Sequence, residues 1–283
     1  MKSFRNKVAA ITGAGSGIGR ALAYELAAQG CHLALSDVDA AGLEATRDAL
    51  TARFGDVCVS TEVVDVADRA QMHAWADRVA GQHGRVNLIF NNAGVAHAGT
   101  VEGSGYDEYE WITNINFWGV VHGTKAFLPH LKASGEGHVV NISSIFGLFA
   151  QPGMSAYNAT KFAVRGFTES LRQELDLEGC GVSVSCVHPG GIKTDIGNRA
   201  RMNDSMASIT GHSTGATRKM FNEQMLRTTP EKAAQVILRG VRRDRRRILI
   251  GADARAVDIT LRLLPSLYQR MVTMSIRLAA RFA

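Results

Sequence analysis

Tyr157 and Lys161 stand four residues apart at the start of a stretch with helical periodicity. Positions i and i+4 share one face of a helix, so a phenol and an ammonium at this spacing can occupy one site. A free tyrosine titrates near ~10, and an opposite charge within a few ångströms favours the ionised form by roughly one to three units. Such a phenol could take a proton from an alcohol, or return one to a ketone oxygen, near neutral pH. The same spacing is commonplace on helix surfaces, so its meaning depends on its company. Thirteen residues earlier, Ser143 and Ser144 close the apolar run 138–142. If that run is a parallel strand, its carboxyl end is where such sheets bind ligands, which places the serines to meet a substrate. Asn114 and Asn116 lie inside a long apolar-periodic stretch, 106–131, where an asparagine ordinarily serves structure.

The elements that must carry these residues alternate. Residues 8–11 form a short apolar strand that runs into Thr12-Gly13-Ala14-Gly15-Ser16-Gly17-Ile18-Gly19, followed by a helical pattern through Ala21, Leu22, Leu26 and Ala27. Glycines permit a tight turn and close backbone approach, and the helix N-terminus offers amide donors and a positive dipole end to a pyrophosphate. The second strand, 32–36, ends at Asp37, eighteen residues beyond Gly19. A carboxylate there can accept hydrogen bonds from the adenosine ribose and repel a 2′-phosphate, and Val38 offers no cation to hold that phosphate. NAD is therefore expected over NADP, although Asp37, like Asp39, could instead cap the next helix. Helix 40–53, strand 57–63, helix 69–83 and strand 88–90 follow. This βαβα rhythm predicts a parallel sheet covered on both faces. Asp65 follows the third strand at the expected adenine edge, and Asn91-Asn92-Ala93-Gly94 closes the fourth with small residues that let backbone pass close to a cofactor.

Taken together these motifs resemble the classical short-chain dehydrogenase/reductase family. The likeness rests on TGAGSGIG at 12–19, NNAG at 91–94, Asn116 three before Gly119, Ser144, Tyr157 with Lys161, and PGGIKT at 189–194. It implies an α/β fold with a Rossmann-like, doubly wound parallel sheet of seven strands in the order 3-2-1-4-5-6-7, helices on both faces, and a C-terminal helical extension. It implies that Tyr157 is the general acid/base, that Lys161 binds the nicotinamide ribose and lowers the phenol pKa, that Ser144 polarises the substrate carbonyl, and that Asn116 holds a water in a proton relay. The implied dinucleotide contacts are Gly13, Ser16, Gly17, Ile18 and Gly19 in the turn, Asp37, Asp65 and Val66 at the adenosine end, and Asn92, Ala93 and Gly94 after the fourth strand. At the nicotinamide end they are Tyr157, Lys161, Pro189, Gly190, Ile192 and Thr194, with Thr194 on the carboxamide. Two departures are mild: Asn87 stands where the family often has an acidic residue, and His188 where Asn is frequent before Pro189.

The expected activity is interconversion of a secondary alcohol and a ketone, with an apolar substrate. An NADPH-dependent carbonyl or 3-oxoacyl reductase is the alternative, and a non-catalytic NAD-binding regulatory protein a remote one. Within 283 residues we expect a catalytic domain over 1–252, including a substrate lid over 195–228, and an extension over 253–283. The lid segment carries Met202, Met206, Ile209, Met220, Phe221 and Met225, a mixture suited to an adaptable apolar underside or to an ordinary buried stripe. The four cysteines show no metal or disulfide spacing and read as buried reduced thiols of a cytoplasmic protein, with no signal stretch or spanning segment expected. The long helices 106–131 and 157–177 carry surplus apolar and aromatic residues, Trp118 and Phe167 included, and in the resembling family such helices pair as dimers and tetramers.

Charge is uneven. From Arg239 onward eleven arginines face three aspartates, a net of +8, whereas the first 238 residues carry a net of −2. Residues 254–264 and 265–282 read as two helices, the second with Pro265 in its first turn. Arg255, Arg262, Arg270, Arg277 and Arg281 fall within about a 100° arc at helical pitch, opposite many of the apolar residues. Such a tail could lie in a membrane interface as a peripheral contact, cover a neighbouring subunit, or pack on its own domain. Nucleic acid is not expected, because base-reading aromatic and polar residues are lacking.

Overall fold

A computed structural model describes residues 1–281 except 221, 224 and 225, with the side chains of 279–281 also undescribed. Phe221, Met225 and Phe282, named above in the lid and tail, lie outside the described residues.

Among the described residues nine strands form, β1 (Val8–Thr12), β2 (His32–Asp37), β3 (Val59–Val63), β4 (Leu88–Asn91), β5 (His97–Ala98), β6 (Gly137–Ile142), β7 (Val182–Pro189), β8 (Arg201–Met202) and β9 (Arg247–Ile250). Seven make one parallel sheet in the order β3-β2-β1-β4-β6-β7-β9, which is the expected 3-2-1-4-5-6-7 once the short β5 and β8, which pair with each other, are set aside. Alternation along each strand sends side chains into two separate cores. Ala9 and Ile11 of β1 join Leu33, Leu35 and Phe90 beneath helices α1 (Gly17–Ala27), α2 (Ala40–Arg53) and α9 (Pro230–Arg242). Val8 and Ala10 join Ile89, Val139 and Val184 beneath α3 (Arg69–His83), α5 (Gly119–Ala133) and α6 (Ser155–Glu178). Because helices cover both faces, the strands read as nearly continuous apolar runs.

Local chemistry sets the helix ends. The Asp39 carboxylate accepts from the Gly42 amide and caps α2, and Asp68 accepts from Ala70 and Gln71 to cap α3. The cap of α2 is thus Asp39, which leaves Asp37 for other work. Asn87 uses both ends of its amide, accepting from Val8 N and donating to the Glu136 carbonyl, a donation an acidic residue at this position could not make.

Three expectations change. The continuous helix over 106–131 is broken into α4 (Tyr106–Thr113), a π turn (Asn114–Trp118) and α5. The break coincides with Asn116, whose side chain accepts from Val95 N and donates to Val95 O, both at 2.9 Å. The thiols are not uniformly buried: Cys31 and Cys186 are, but Cys58 is exposed and Cys180 half-buried, because each sits where a strand is still entering the sheet. In the tail, α10 (Ala252–Leu263) and α11 (Leu267–Arg281) are separate helices, with Pro265 in the link between them and not in the second helix. Their arginines therefore do not share one arc.

Candidate active site

The glycine turn packs so closely that side chains have no room. A Cβ on Gly19 would lie 2.1 Å from the Gly13 carbonyl oxygen, and one on Gly13, whose φ is +66°, 2.9 Å from Ala93 Cα. Thr12 Oγ1 receives the amides of Asn92 and Ala93, and the Asn92 side chain donates to Thr12 O at 2.9 Å, so the turn and the NNAG segment form one wall. Asp37 faces this wall. Its Oδ2 accepts from Gly15 N at 2.8 Å and its Oδ1 from Asp39 N at 3.0 Å, which leaves a lone pair on each oxygen for ribose hydroxyls. Arg199, the cation nearby, is held by Asp195 at 2.8 Å and lies 3.6 Å from Asp39. Glycines that leave a cradle, amides at a helix start and an acceptor at the β2 end fit a dinucleotide.

That wall continues into a partly open cavity of about 390 Å³. Of the residues singled out from sequence, the cavity is lined by Gly13, Ser16, Gly17, Ile18, Asp37, Asp65, Val66, Asn92, Ala93, Gly94, Ser144, Tyr157, Lys161, Pro189, Gly190, Ile192 and Thr194. Gly19 and Asn116 stand behind it. A wider surface groove along α1 shares Ser16, Gly17 and Thr194 with this cavity but contains none of the four expected catalytic side chains. Thr194 closes over the turn, its Cγ2 lying 3.1 Å from where a Gly17 Cβ would be.

The chemical residues meet at the far end. Tyr157, Lys161 and Ser144 are all buried. Lys161 Nζ donates to the Ile142 carbonyl at 3.2 Å and lies 5.6 Å from the Tyr157 ring centroid. Gly94 leaves open the space between Asn116 and Lys161, since its Cβ would lie 3.1 Å from Asn116 Oδ1 and 3.4 Å from Lys161 Nζ. The two serines divide: Ser143 Oγ donates to Lys161 O and serves the scaffold, while the Ser144 hydroxyl accepts from Phe146 N at 3.2 Å and lines the cavity with Tyr157. Burial pushes the phenol up, and the Ser144 hydrogen bond opposes this. Burial also pushes the Lys161 ammonium down, to about 8. The direction for Tyr157 is thus opposite to the one expected from a neighbouring cation, because desolvation outweighs an ammonium whose hydrogen bond goes elsewhere.

Sequence reasoning noted His188 without giving it a role, and missed the His97–Glu108 pair. His188, fully buried at the end of β7, donates from Nδ1 to the Ser144 carbonyl at 2.8 Å, and burial pushes its pKa down to about 4. His97 lines the cavity, buried, with Nε2 3.0 Å from a Glu108 carboxylate oxygen. The other oxygen of Glu108 accepts from Gly105 N at 2.9 Å, so the carboxylate is itself fixed. The walls around them are mainly apolar, with Ile145, Phe146, Met154, Met202 and Met206, joined by the polar Gln151 and Thr217.

Residues 7–205 match the family described as short chain dehydrogenase. The chain belongs to the short-chain dehydrogenase family. SadH of Mycobacterium tuberculosis (strain ATCC 25618 / H37Rv), provisionally named an oxidoreductase, is 49% identical over 275 residues, covering 96% of each chain. A short-chain dehydrogenase/reductase from Burkholderia phymatum in complex with NAD superposes with a TM-score of 0.84 at 31% identity, covering 95% of this chain and 97% of that one. The alcohol dehydrogenase of Thermococcus sibiricus complexed with 5-hydroxy-NADP gives a TM-score of 0.70 at 26% identity, over 86% and 95%. As a short-chain dehydrogenase the protein is an oxidoreductase with a nicotinamide dinucleotide site. The likeness to SadH reaches past residue 205, where the family match ends, and into the C-terminal helices of this short-chain dehydrogenase.

Proposed function

We propose that the protein interconverts a secondary alcohol and a ketone, with NAD as cofactor and Tyr157 as general acid/base. The observation that supports this most is that Tyr157, Ser144 and Lys161 are buried together at one end of the cavity whose other end is the glycine cradle. When bound, the nicotinamide supplies the hydride for reduction or accepts it in oxidation. Ser144 holds the substrate oxygen by hydrogen bond, and Tyr157 exchanges its proton with that oxygen. Lys161 binds the nicotinamide ribose, Thr194 the carboxamide, and Asn116 a water through which protons reach the site. Because burial holds the phenol protonated at neutral pH, the set is loaded there to donate to a ketone oxygen. Alcohol oxidation needs the phenolate and gains rate as pH rises. The apolar walls favour a hydrophobic substrate, and residues 195–228 serve as its lid.

Tyr157→Phe tests the reading. Turnover of hydrophobic secondary alcohols, followed by NADH absorbance, is expected to fall about 10²–10⁴-fold while dinucleotide affinity survives. Lys161→Ala is expected to damage both. A near-normal rate in Tyr157→Phe would sink the assignment, and firm NAD binding without turnover of any alcohol or ketone would favour a binding protein instead.

A further inference from the structure

We propose that α10 and α11 form a docking surface for an anionic lipid bilayer. On α11, Leu267, Met271, Met274 and Leu278 are 46%, 50%, 61% and 51% exposed. At helical pitch they fall within about a 60° arc, a continuous apolar stripe turned away from the protein. Ile259 and Leu263 on α10, 58% and 73% exposed, add a second pair one turn apart. Monomeric proteins rarely leave such a patch in water without use for it.

Another side of α11, about 90° round the helix from the stripe, seats it on the catalytic unit. Tyr268 meets the Phe149 ring edge-on at 6.3 Å, Phe149 lies 5.1 Å from Phe146, and Phe146 lies 5.9 Å from Tyr157. The helix also touches α7 (Ala207–Thr210), which follows Met206 of the cavity wall. The stripe is thus the outer surface of an element packed behind residues that adjoin the cavity wall.

Charge selects the occupant. Arg270 and Arg277 flank the stripe along one side, about 70–90° from its centre at helical pitch, and no acidic residue follows Asp258. Arginine stems can lie along apolar side chains with their heads among anionic headgroups, the arrangement of an interfacial amphipathic helix. A second copy docking through the same stripe would bring no α11 carboxylate to these arginines. No helix among the described residues is long and apolar enough to cross a membrane, so the surface lies on a bilayer. If the proposed reaction on a hydrophobic alcohol is right, this contact also brings the enzyme to the phase where such substrates dissolve; the docking itself does not depend on that reaction.

Co-sedimentation of the full chain with phosphatidylcholine vesicles, with and without phosphatidylglycerol, tests the proposal. Pelleting is expected only with the anionic vesicles at low salt, with release at high salt. Met271→Glu with Met274→Glu is expected to abolish it, and Arg270→Gln with Arg277→Gln to weaken it about tenfold or more. All four positions are exposed, and retained NAD binding, measured by fluorescence, shows that each variant is folded whether or not any alcohol is turned over. Retention of the unaltered chain in the supernatant overturns the proposal, as does pelleting indifferent to both double variants. A fall in molecular mass on Met271→Glu with Met274→Glu overturns it too, assigning the stripe to a second copy.

Discussion

His188 fixes the backbone on which Ser144 stands. Its Nδ1–H is the donor to the Ser144 carbonyl, and with the ring held neutral by burial its Nε2 is a buried atom without a partner among the described residues. Replacing it by leucine keeps an apolar body but takes from that carbonyl one of its two donors, the Gly147 amide at 3.0 Å remaining, a cost of about 0.5–1.5 kcal/mol. We expect His188→Leu to lower kcat while dinucleotide affinity is kept, and His188→Asn, which retains an N–H donor, to recover most of the loss. Equal kcat in wild type and His188→Leu would show that the contact positions nothing. The Tyr157–Lys161 pair was legible in sequence because four residues on a helix are neighbours by geometry alone. His188 was not, because it becomes a neighbour of Ser144 only when β6 and β7 pair, 44 residues apart. Nor was the direction of the phenol shift, which depends on burial of Tyr157 and on where the Lys161 hydrogen bond goes.

At the scale of elements, the junction of β2 with the glycine turn is where NAD and NADP would be told apart. Asp37 reaches back to Gly15 N because Gly15 has no side chain: a Cβ there would lie 2.8 Å from the carboxylate oxygen. A fixed carboxylate repels a 2′-phosphate, Val38 is 66% exposed and uncharged, and Arg199 already has carboxylate partners. NADH is expected to bind at least about tenfold more tightly than NADPH, a difference of about 1.4 kcal/mol. Side-by-side fluorescence titration checks this, and tighter NADPH binding would overturn the role given to Asp37. The βα rhythm was readable because periodicity and turn chemistry are local, whereas the strand order came only with the family resemblance that the motifs carry. The π turn was not: its asparagine answers to Val95, 21 residues away. The relation of the tail arginines to the apolar stripe was misread for a similar reason, since a single helical pitch cannot be carried across the break at Leu264 and Pro265.

At the scale of the whole molecule, the outer faces of α5 and α6 remain to be covered. Trp118 at the end of the π turn is 46% exposed, Phe162 on α6 38%, and Leu177 near the end of α6 90%. Trp118 stacks on His122 with ring centroids 5.8 Å apart, and Phe117 meets Phe167 edge-on at 6.4 Å, so aromatic side chains line both helices where they approach. An isologous contact is self-complementary, and helices that present such residues side by side can meet their own copies across a two-fold axis. A stable contact of this kind buries about 800 Å² per partner, an area that two long helices side by side can supply. We expect light scattering at micromolar concentration to report a dimer or tetramer, and Trp118→Glu with Phe162→Glu to shift it to a smaller species. Both side chains face solvent in the single chain, so the thermal unfolding of a dissociated variant would lose only the contribution of the interface and not that of the core. A monomer mass for the unaltered chain contradicts the contact, and an unchanged mass in the double variant moves it to another face.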